Sequence, residues 1–452
     1  MSPFPPGLTH RTILPALLLG LLGANVPGAL AQQPPAAKPE AKEAPAPAAK
    51  PEEKPPAKMS EDDRRRAMGG YHPERMKNPK LTGHPPKLTV TPPDQIPLKN
   101  LQLPPGFEIE IWAHGNPGAR MMTRGDKGTV FQGTRNIGRV YATMDKDGKR
   151  TSKVIAEKLV QPNGVLFLNG SLYVAAINKV MRYDNIEDAL AQDKIPTPVD
   201  MTDAFKLPPE VHHNWKFLSF GPDKKIYIPV GSPCNLCEVN PGVHGQIRRY
   251  NLDGSGMEIV ARGVRNSVGF DFHPKTGELW FTDNGRDWAG ETGFEEELNR
   301  VPAKMTGAHF GFPYCHANGQ PDPDIKVPNP CANVVLPVTT LGSHAAALGM
   351  RFYTGKMFPA EYRDSIFVAR RGSWNKTEKN GYDVLTVKAT ADGKNAQVKP
   401  FLTGFLDKAK NEFWGRPVDV MLMPDGALLV ADEENGAIYR VSYKGATPAS
   451  KK

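Results

Sequence analysis

A short strand phrase recurs six times along the 452-residue chain, and this repetition constrains the fold more than any other feature of the sequence. Each copy has a turn, a run of strand-forming apolar residues and a polar loop, as in GSLYVAAIN and GELWFTDNG. The copies begin at Gly128, Gly170, Lys224, Gly277, Asp364 and Gly426. A second strand phrase follows each copy after a tight turn, at Gly138, Asn178, Gly245, Glu297, Tyr382 and Gly436. Paired runs of this kind predict β-hairpins.

The spacing of the repeat selects the architecture. Successive copies are 42, 54, 53, 87 and 62 residues apart, which fits propeller blades of about 40–50 residues with insertions. We therefore predict an all-β fold, a six-bladed β-propeller of four-stranded antiparallel blades over residues 103–445, in which only short sheet edges are left open. The longest interval predicts a loop over one face of the propeller. A β-sandwich with repeated hairpins is the alternative.

The N-terminal quarter of the chain has a different composition. Of the 45 prolines, 22 lie in the first 105 residues. Residues 1–31 combine basic residues, an apolar run of about ten residues and Ala-Leu-Ala, the layout of a cleaved signal peptide. We expect residues 32–102 to form a Pro/Ala/Lys/Glu-rich linker and an extended, disordered arm, and residues 446–452 a disordered tail. The apolar run is shorter than the ~20 residues of a spanning helix, so we expect a periplasmic or secreted protein without an integral membrane span.

Charge and cysteine content agree with an exported protein. The formal net charge of +9 is spread over many segments and does not indicate nucleic-acid binding. An even count of four cysteines predicts two disulfides. Proximity in the chain favours Cys234–Cys237 and Cys315–Cys331 among three possible connectivities.

Polar and aromatic residues cluster next to the repeat phrases, where propeller loops converge on the channel mouth. Arginine forks and aromatic faces at one mouth suit a planar polyanion. Taken singly, these residues are also compatible with turns or a satisfied core. The acidic run Glu295–Glu297 is more typical of a solvated strand edge than of a metal site. The candidates are Gln161, His212, His213, Arg265, Asn266, Asp283, Gly285, Arg286, His344, Arg370, Arg371, Trp374, Asp432 and Arg416.

The ordered succession of motifs resembles a known group of enzymes. From about Leu103 to Tyr443 the chain is similar to the L-sorbosone dehydrogenase group, which are soluble quinoprotein sugar dehydrogenases related to the soluble glucose dehydrogenase that uses pyrroloquinoline quinone (PQQ). The motifs that carry the resemblance are LPPGFEIEIWA, QPNG, HHNWKFLSFGPDKKIYIPVGSPCNLC, GVRNSVGFDFHPKTGELWFTDNGRD, GFPYCH, HAAALGMRFY, RRGSWNK and GRPVDVMLMPDGALLVAD.

This resemblance implies PQQ and Ca²⁺ at the mouth of the propeller, and it implies roles for the candidates. His213 matches the general base that takes a proton from the sugar. Arg265 matches the arginine at the quinone oxygens, with Asn266 beside it. Gly285 and Arg286 match the pair whose backbone carbonyls hold Ca²⁺. Further quinone contacts are implied at Gln161, Trp374, Arg416 and one of the pair Arg370 and Arg371.

We therefore expect PQQ- and Ca²⁺-dependent oxidation of a sugar or sugar aldehyde. The chain has no haem-attachment motif, so electrons would pass to an external acceptor such as a periplasmic cytochrome c or a quinone. Two alternatives stay open: a non-enzymatic propeller that binds a partner or a cell-wall glycan, and a Ca²⁺-dependent lactonase, which needs a cage of acidic and amide side chains.

Overall fold

The computed structural model describes residues 60–445. The predicted signal peptide, the linker as far as residue 59 and the C-terminal tail lie outside the described residues. No helix within 60–445 has the length and apolarity needed to cross a membrane. The α-helices are α1 (Glu61–Ala67), α2 (Ile186–Ala191) and α3 (Thr202–Phe205). Short 3-10 helices cover Pro73–Arg75, Pro93–Gln95, Leu98–Asn100 and Ala360–Tyr362.

Strands dominate the rest of the chain. The first half contains β1 (Phe107–His114), β2 (Ala119–Arg124), β3 (Val130–Thr134), β4 (Val140–Lys146), β5 (Lys149–Ala156), β6 (Gly164–Leu168), β7 (Ser171–Ala175), β8 (Val180–Tyr183), β9 (Val199–Asp200), β10 (Ser219–Phe220), β11 (Ile226–Val230), β12 (Gln246–Tyr250) and β13 (Glu258–Arg262). The second half contains β14 (Gly269–Phe272), β15 (Leu279–Asp283), β16 (Glu295–Arg300), β17 (Ala308–His309), β18 (Cys315–His316), β19 (Gln320–Pro321), β20 (Thr339–Ser343), β21 (Ala347–Phe352), β22 (Ile366–Arg370), β23 (Asp383–Lys388), β24 (Gln397–Leu402), β25 (Leu406–Asp407), β26 (Glu412–Phe413), β27 (Pro417–Leu422), β28 (Leu428–Asp432) and β29 (Ala437–Tyr443).

These strands form a six-bladed β-propeller, which confirms the predicted fold class. Within the described residues the blades have the strand orders β2-β3-β4-β5, β6-β7-β8-β9, β10-β11-β12-β13, β14-β15-β16-β20, β21-β22-β23-β24 and β27-β28-β29-β1. Strand β17 extends the third blade by parallel pairing with β13, and β18-β19 and β25-β26 are separate hairpins. The sixth blade closes the ring, because β1 pairs with β29 in a register that places Phe107 opposite Tyr443.

The repeat phrases occupy equivalent places in the blades. All six first phrases form the second strand of a blade, namely β3, β7, β11, β15, β22 and β28, and the second phrases form the third strand. Second strands such as β3, β15 and β28 are buried along their whole length, since they lie between neighbouring blades. This explains why their apolar residues are consecutive and do not alternate with polar ones, as in Leu-Trp-Phe of β15 and Leu-Leu-Val-Ala of β28. The outermost strand β24 is exposed over Gln397–Pro400 and carries Lys399 and Pro400, which protects that edge from pairing.

Two disulfides hold loops of the propeller. They join Cys234 to Cys237 and Cys315 to Cys331, as the spacing favoured. The long interval between the fourth and fifth repeats contains the second disulfide and the hairpin β18-β19. Disulfides are consistent with an oxidising, extracytoplasmic compartment.

Residues 60–102, which we expected to form an extended arm, follow the surface of the propeller. Helix α1 begins at the N-cap Ser60, whose side chain accepts a hydrogen bond from the Asp63 backbone. The Met68 carbonyl then accepts hydrogen bonds from the backbone N–H groups of Asn235 (2.9 Å) and Leu236 (3.2 Å). The segment therefore contacts the loop pinned by the first disulfide.

Candidate functional site

Two sets of loops meet at one end of the propeller. One set precedes the innermost strands, and the other follows the second strands. Aspartates at the ends of β15 and β28 join the two sets. The Asp283 carboxylate accepts the backbone N–H groups of Arg265 (2.8 Å) and Asn266 (2.6 Å), and Asp432 accepts that of Arg416 (2.8 Å). In blades four and six, an aspartate at the end of the second strand thus holds the backbone of the loop before the first strand. These loops carry the predicted residues Arg265 and Arg416.

A main cavity of about 300 Å³ opens at this mouth. A side cavity of about 190 Å³ lies next to it, and His84, Arg135 and Arg371 line both cavities. The charged, imidazole and aromatic side chains of the main cavity are Arg120, Arg135, Arg265, Arg371, Asp287, Glu296, His84, His212, His213, His344, Trp215 and Trp374. Those of the side cavity include Arg135, Arg371, Arg416, Glu433 and Glu434.

His213 lies in the wall of the main cavity and is 6% exposed. Its Nδ1 is buried without a hydrogen-bond partner among the described residues. The ring packs on that of His212, with 3.9 Å between centroids. Burial, followed by the charge of Arg265, lowers the pKa of His213 well below its ordinary value. The imidazole is therefore neutral at pH 7, the protonation state that can accept a proton.

Arg265 is 3% exposed, and hydrogen bonds within the protein hold its guanidinium in place. Its Nη1 donates to the carbonyls of Gly285 (2.8 Å) and Asn284 (3.2 Å), and its Nε and Nη2 donate to Asn235. The neighbouring Asn266 donates to Asn284, while its buried Oδ1 has no partner among the described residues. Arg265 and Asn266 thus form a rigid, hydrogen-bonded floor of the main cavity.

Arg416 carries a largely unsatisfied charge at the mouth. It is 1% exposed, and its Nε, Nη1 and Nη2 make no hydrogen bond to any residue that the structure describes. The nearest carboxylate oxygen is Glu434 Oε2, at 3.8 Å from Nε. The guanidinium lies over the rings of Phe413 (4.3 Å) and Tyr382 (5.5 Å). Burial and the nearby Arg371 lower its pKa to about 10, so the group is still charged at pH 7. A cationic side chain without hydrogen-bond partners among the described residues therefore lines the side cavity.

The adjacent arginines of the RRGSWNK motif differ in their surroundings. Arg370 ends β22 and forms a two-point ion pair with Asp383 (2.6 and 2.8 Å), and it lines neither cavity. Arg371 lines both cavities and bonds to Glu433, which also accepts from Arg120 at 2.6 Å. Burial opposes ionisation of Glu433, but Arg371 and Arg120 outweigh it and lower its pKa. Of the pair, Arg371 is the one that faces the cavities.

Aromatic rings border the main cavity on two sides. Trp374 packs edge to face on Trp288, with centroids 5.7 Å apart, and Tyr71 contacts Trp288 in the same manner at 5.0 Å. On the other side the Arg135 guanidinium stacks 3.6 Å from the centroid of Trp215. Burial and repulsion from Arg120 lower the pKa of Arg135 to about 9. A planar ligand would thus find aromatic faces as well as cations.

The acidic run on β16 is not the solvated strand edge that we expected. Glu296 and Glu297 are buried, because β16 lies inside the fourth blade. Glu296 accepts the backbone N–H groups of Ala346 (3.0 Å) and Gly285 (3.2 Å). Burial raises its pKa to about 8 and also raises that of Glu297. Glu296 therefore fixes the backbone beside the predicted Ca²⁺ position and is largely protonated at pH 7.

Not every predicted residue lies at the cavities. Gln161 has a buried Oε1 without a partner among the described residues but lines neither cavity. The Arg286 side chain is fully buried in ion pairs with Asp322 and Asp324. His344 lines the main cavity, where its Nε2 bonds to the Gly290 carbonyl at 2.8 Å.

The cavities also contain residues that the sequence reasoning missed. Trp215 stands inside the HHNWKF motif and could have been found as the next aromatic residue. Arg120 precedes the first repeat copy and belongs to no motif, whereas Arg135 is the last residue of that copy, GTVFQGTR, and could have been found there. His84 comes from the N-terminal segment, where no pattern indicated a site.

The fold and the site together define a six-bladed propeller with a basic, aromatic ligand cavity at its mouth. The chain belongs to the TrAA12-like family, whose sequence model matches residues 101–444. This confirms the family-level resemblance to soluble quinoprotein sugar dehydrogenases that the motifs indicated.

Three relatives illustrate the similarity. An uncharacterized protein of Borreliella burgdorferi is 32% identical over 354 residues, covering 76% of this chain and 91% of its own. The PQQ domain of pyranose dehydrogenase from Coprinopsis cinerea, solved in its holo form, has a TM-score of 0.61 at 19% identity, covering 76% of this chain and 97% of its own. A calcium structure of the Trichoderma reesei family AA12 carbohydrate-active enzyme has a TM-score of 0.64 at 17% identity, covering 78% and 100%.

Proposed function

We propose that this protein is a PQQ-dependent dehydrogenase that oxidises a sugar or a sugar aldehyde. The observation that supports it most is the unmatched Arg416, buried beside Arg371 and Arg135 at a mouth that also carries the neutral His213. Buried guanidinium groups without partners are destabilising unless an anion binds them. A planar ligand with several carboxylates meets this requirement.

The described residues fit the quinone. Arg416, Arg371 and Arg135 offer donors for carboxylates, and the rings of Trp374 and Trp215 line the main cavity. Arg265 and Asn266 also line the main cavity, where they would hold the quinone oxygens. When bound, the quinone supplies an acceptor for the hydride that leaves the sugar carbon.

In this proposal His213 moves the proton. The neutral imidazole accepts the hydroxyl proton of the substrate, so that the carbon can release its hydride. A bound anion nearby would raise the pKa of the imidazole toward neutrality and make it a stronger base. The rigid floor of Arg265 and Asn266 would orient the acceptor against the substrate.

Calcium belongs to the proposal through backbone oxygens. Gly285 lines the main cavity together with Asp287, and hard cations prefer such oxygen ligands. The Gly285 carbonyl already accepts a hydrogen bond from Arg265, so it offers Ca²⁺ its second lone pair. The family resemblance implies the Arg286 carbonyl as a further ligand, although Arg286 lines neither cavity. Among the described residues no group of three or more His, Cys, Asp or Glu side chains is placed to hold a metal, so in this proposal the ion depends on backbone oxygens.

The remaining elements of the proposal concern partners and location. We infer a periplasmic or secreted enzyme that passes electrons to an external acceptor such as a cytochrome c or a quinone. The two disulfides support the compartment.

The test is reconstitution of the purified protein with PQQ. Turnover of aldoses and sugar aldehydes is followed by reduction of an artificial acceptor dye, with Ca²⁺ present or removed by a chelator. We expect dye reduction that needs PQQ, and a large loss of rate and of PQQ retention when Ca²⁺ is removed. Absence of PQQ-dependent turnover, with no quinone absorbance co-eluting with the protein on gel filtration, would leave the non-enzymatic binding propeller as the better explanation.

A further inference from the structure

A segment outside the family domain crosses the mouth of the propeller. We call residues 79–90 the strap; they precede the matched family region 101–444. The strap is anchored at both ends. At its start the Asn78 backbone N–H donates to Thr377 Oγ1 (3.0 Å), and at its end the Thr91 backbone N–H donates to the Asn435 carbonyl (3.2 Å). A second bond joins Thr91 Oγ1 to Asn435 Oδ1 at 2.7 Å.

The middle of the strap is held by packing. Among the described residues, the hydrogen bonds made within 79–90 reach only the anchor residues Asn78 and Thr91. No atom lies within 4 Å of the position that a Cβ on Gly83 would take. The ring of His84 meets the edge of Phe413, with centroids 4.7 Å apart. The strap can therefore shift without breaking a bond to the propeller.

His84 stands where the two cavities meet. It lines the main cavity and the side cavity, as does Arg371, and it lies beside the unmatched Arg416. Although His84 is exposed to solvent, partial desolvation and the charges of Arg416, Lys379 and Arg371 lower the pKa of its imidazole to about 4. At pH 7 its imidazole is thus neutral and carries one N–H donor. The neutral His84 imidazole can donate a hydrogen bond to an anionic ligand without adding positive charge next to Arg371 and Arg416.

We propose that the strap closes over the quinone, with the His84 imidazole donating a hydrogen bond to a carboxylate that Arg371 and Arg416 hold. The inference rests on the proposed function, and it makes His84 a positioning residue supplied from outside the family domain. The bound ligand would give the middle of the strap the hydrogen bond that it otherwise lacks. Release of the ligand would then require the strap to lift.

The test measures binding of PQQ to the full chain by quenching of tryptophan fluorescence, since Trp215 and Trp374 line the main cavity. We expect His84→Ala to weaken binding at least tenfold and to raise the dissociation rate, because a hydrogen bond to a charged group is lost. His84→Gln should restore part of the affinity through its amide N–H. His114→Ala, an exposed histidine on β1, is the matched control and should bind like the wild type.

The outcomes separate the two proposals. If the wild type binds PQQ and both His84 variants bind equally well, the role of the strap is refuted while the proposed function stands. If the wild type does not bind PQQ, both are overturned. In an Arg416→Met background the effect of His84→Ala should shrink, because the two residues act on one carboxylate. Fully additive effects would mean that His84 acts elsewhere.

Discussion

Replacing Arg416 with methionine should change stability and ligand binding in opposite directions. The side chain is 1% exposed, and all three guanidinium nitrogens lack partners among the described residues. A fall in the pKa of this group from 12.5 to about 10 corresponds to roughly 3 kcal/mol against the charged form. Methionine removes that penalty and fills similar space against Phe413 and Tyr382. It loses a cation–π contact of about 1–2 kcal/mol.

The ligand-free Arg416→Met variant should therefore gain about 1–2 kcal/mol in free energy of unfolding. Its affinity for PQQ should fall about 10- to 150-fold, the equivalent of the 1.5–3 kcal/mol of a hydrogen bond to a charged group. Urea denaturation of the ligand-free protein and fluorescence titration with PQQ measure the two quantities. Higher stability without ligand together with weaker PQQ binding is the result expected if Arg416 destabilises the site until the ligand binds.

Arg370→Met is the matched control. Arg370 is paired with Asp383 and lines neither cavity. Its loss leaves a largely buried carboxylate uncompensated and should destabilise the fold by roughly 3 kcal/mol, with PQQ affinity unchanged. If Arg416→Met were destabilising in the ligand-free state, or bound PQQ as the wild type does, the reasoning from unmatched donors would be refuted.

Three further variants test other parts of the site. His213→Ala should retain PQQ but lose turnover by about 10²–10⁴-fold, and a near-normal rate would exclude it as the base. Burial raises the pKa of Glu296 from 4.5 to about 8, so its contribution to stability is present below pH 4.5 and is lost as the pH rises through 8. Glu296→Gln should therefore flatten the fall in melting temperature over this pH range. An unchanged slope would contradict the assignment. The double substitution Cys315→Ser and Cys331→Ser removes a disulfide that spans 16 residues. It should lower the free energy of unfolding by about 3 kcal/mol, as measured by urea denaturation. An unchanged urea midpoint would show that this disulfide does not stabilise the fold.

The fold could be predicted because its signal is local. Each second strand of a blade lies between neighbouring sheets, so the chain must supply a short apolar run there, and a turn must follow for the next strand to pair. These requirements recur in every blade and remain visible after insertions of up to about 40 residues. The disulfides were predictable for the same reason, since both close short loops.

The site could be predicted only in part, because its details depend on register and on distant contacts. Successive residues of a strand point to opposite faces, so the choice between Arg370 and Arg371 depends on the residue at which β22 leaves its sheet. The motif could not supply that residue. Glu296 was misread because an acidic run resembles a surface, and the backbone N–H groups that satisfy it come from Ala346 and Gly285.

The electrostatics of the mouth show why net charge was a weak guide to function. The surplus of +9 belongs to the whole sequence, and most charged groups around the site are matched: Arg120 and Arg371 share Glu433, and Arg370 has Asp383. What distinguishes the site is that guanidinium nitrogens of Arg416, and Nε of Arg135, lack hydrogen-bond partners among the described residues. This mismatch involves loops from several blades and the strap, so it exists only after folding. A search for ligand sites in this family should therefore follow buried cations without partners, since their free-energy cost is offset only when the ligand binds.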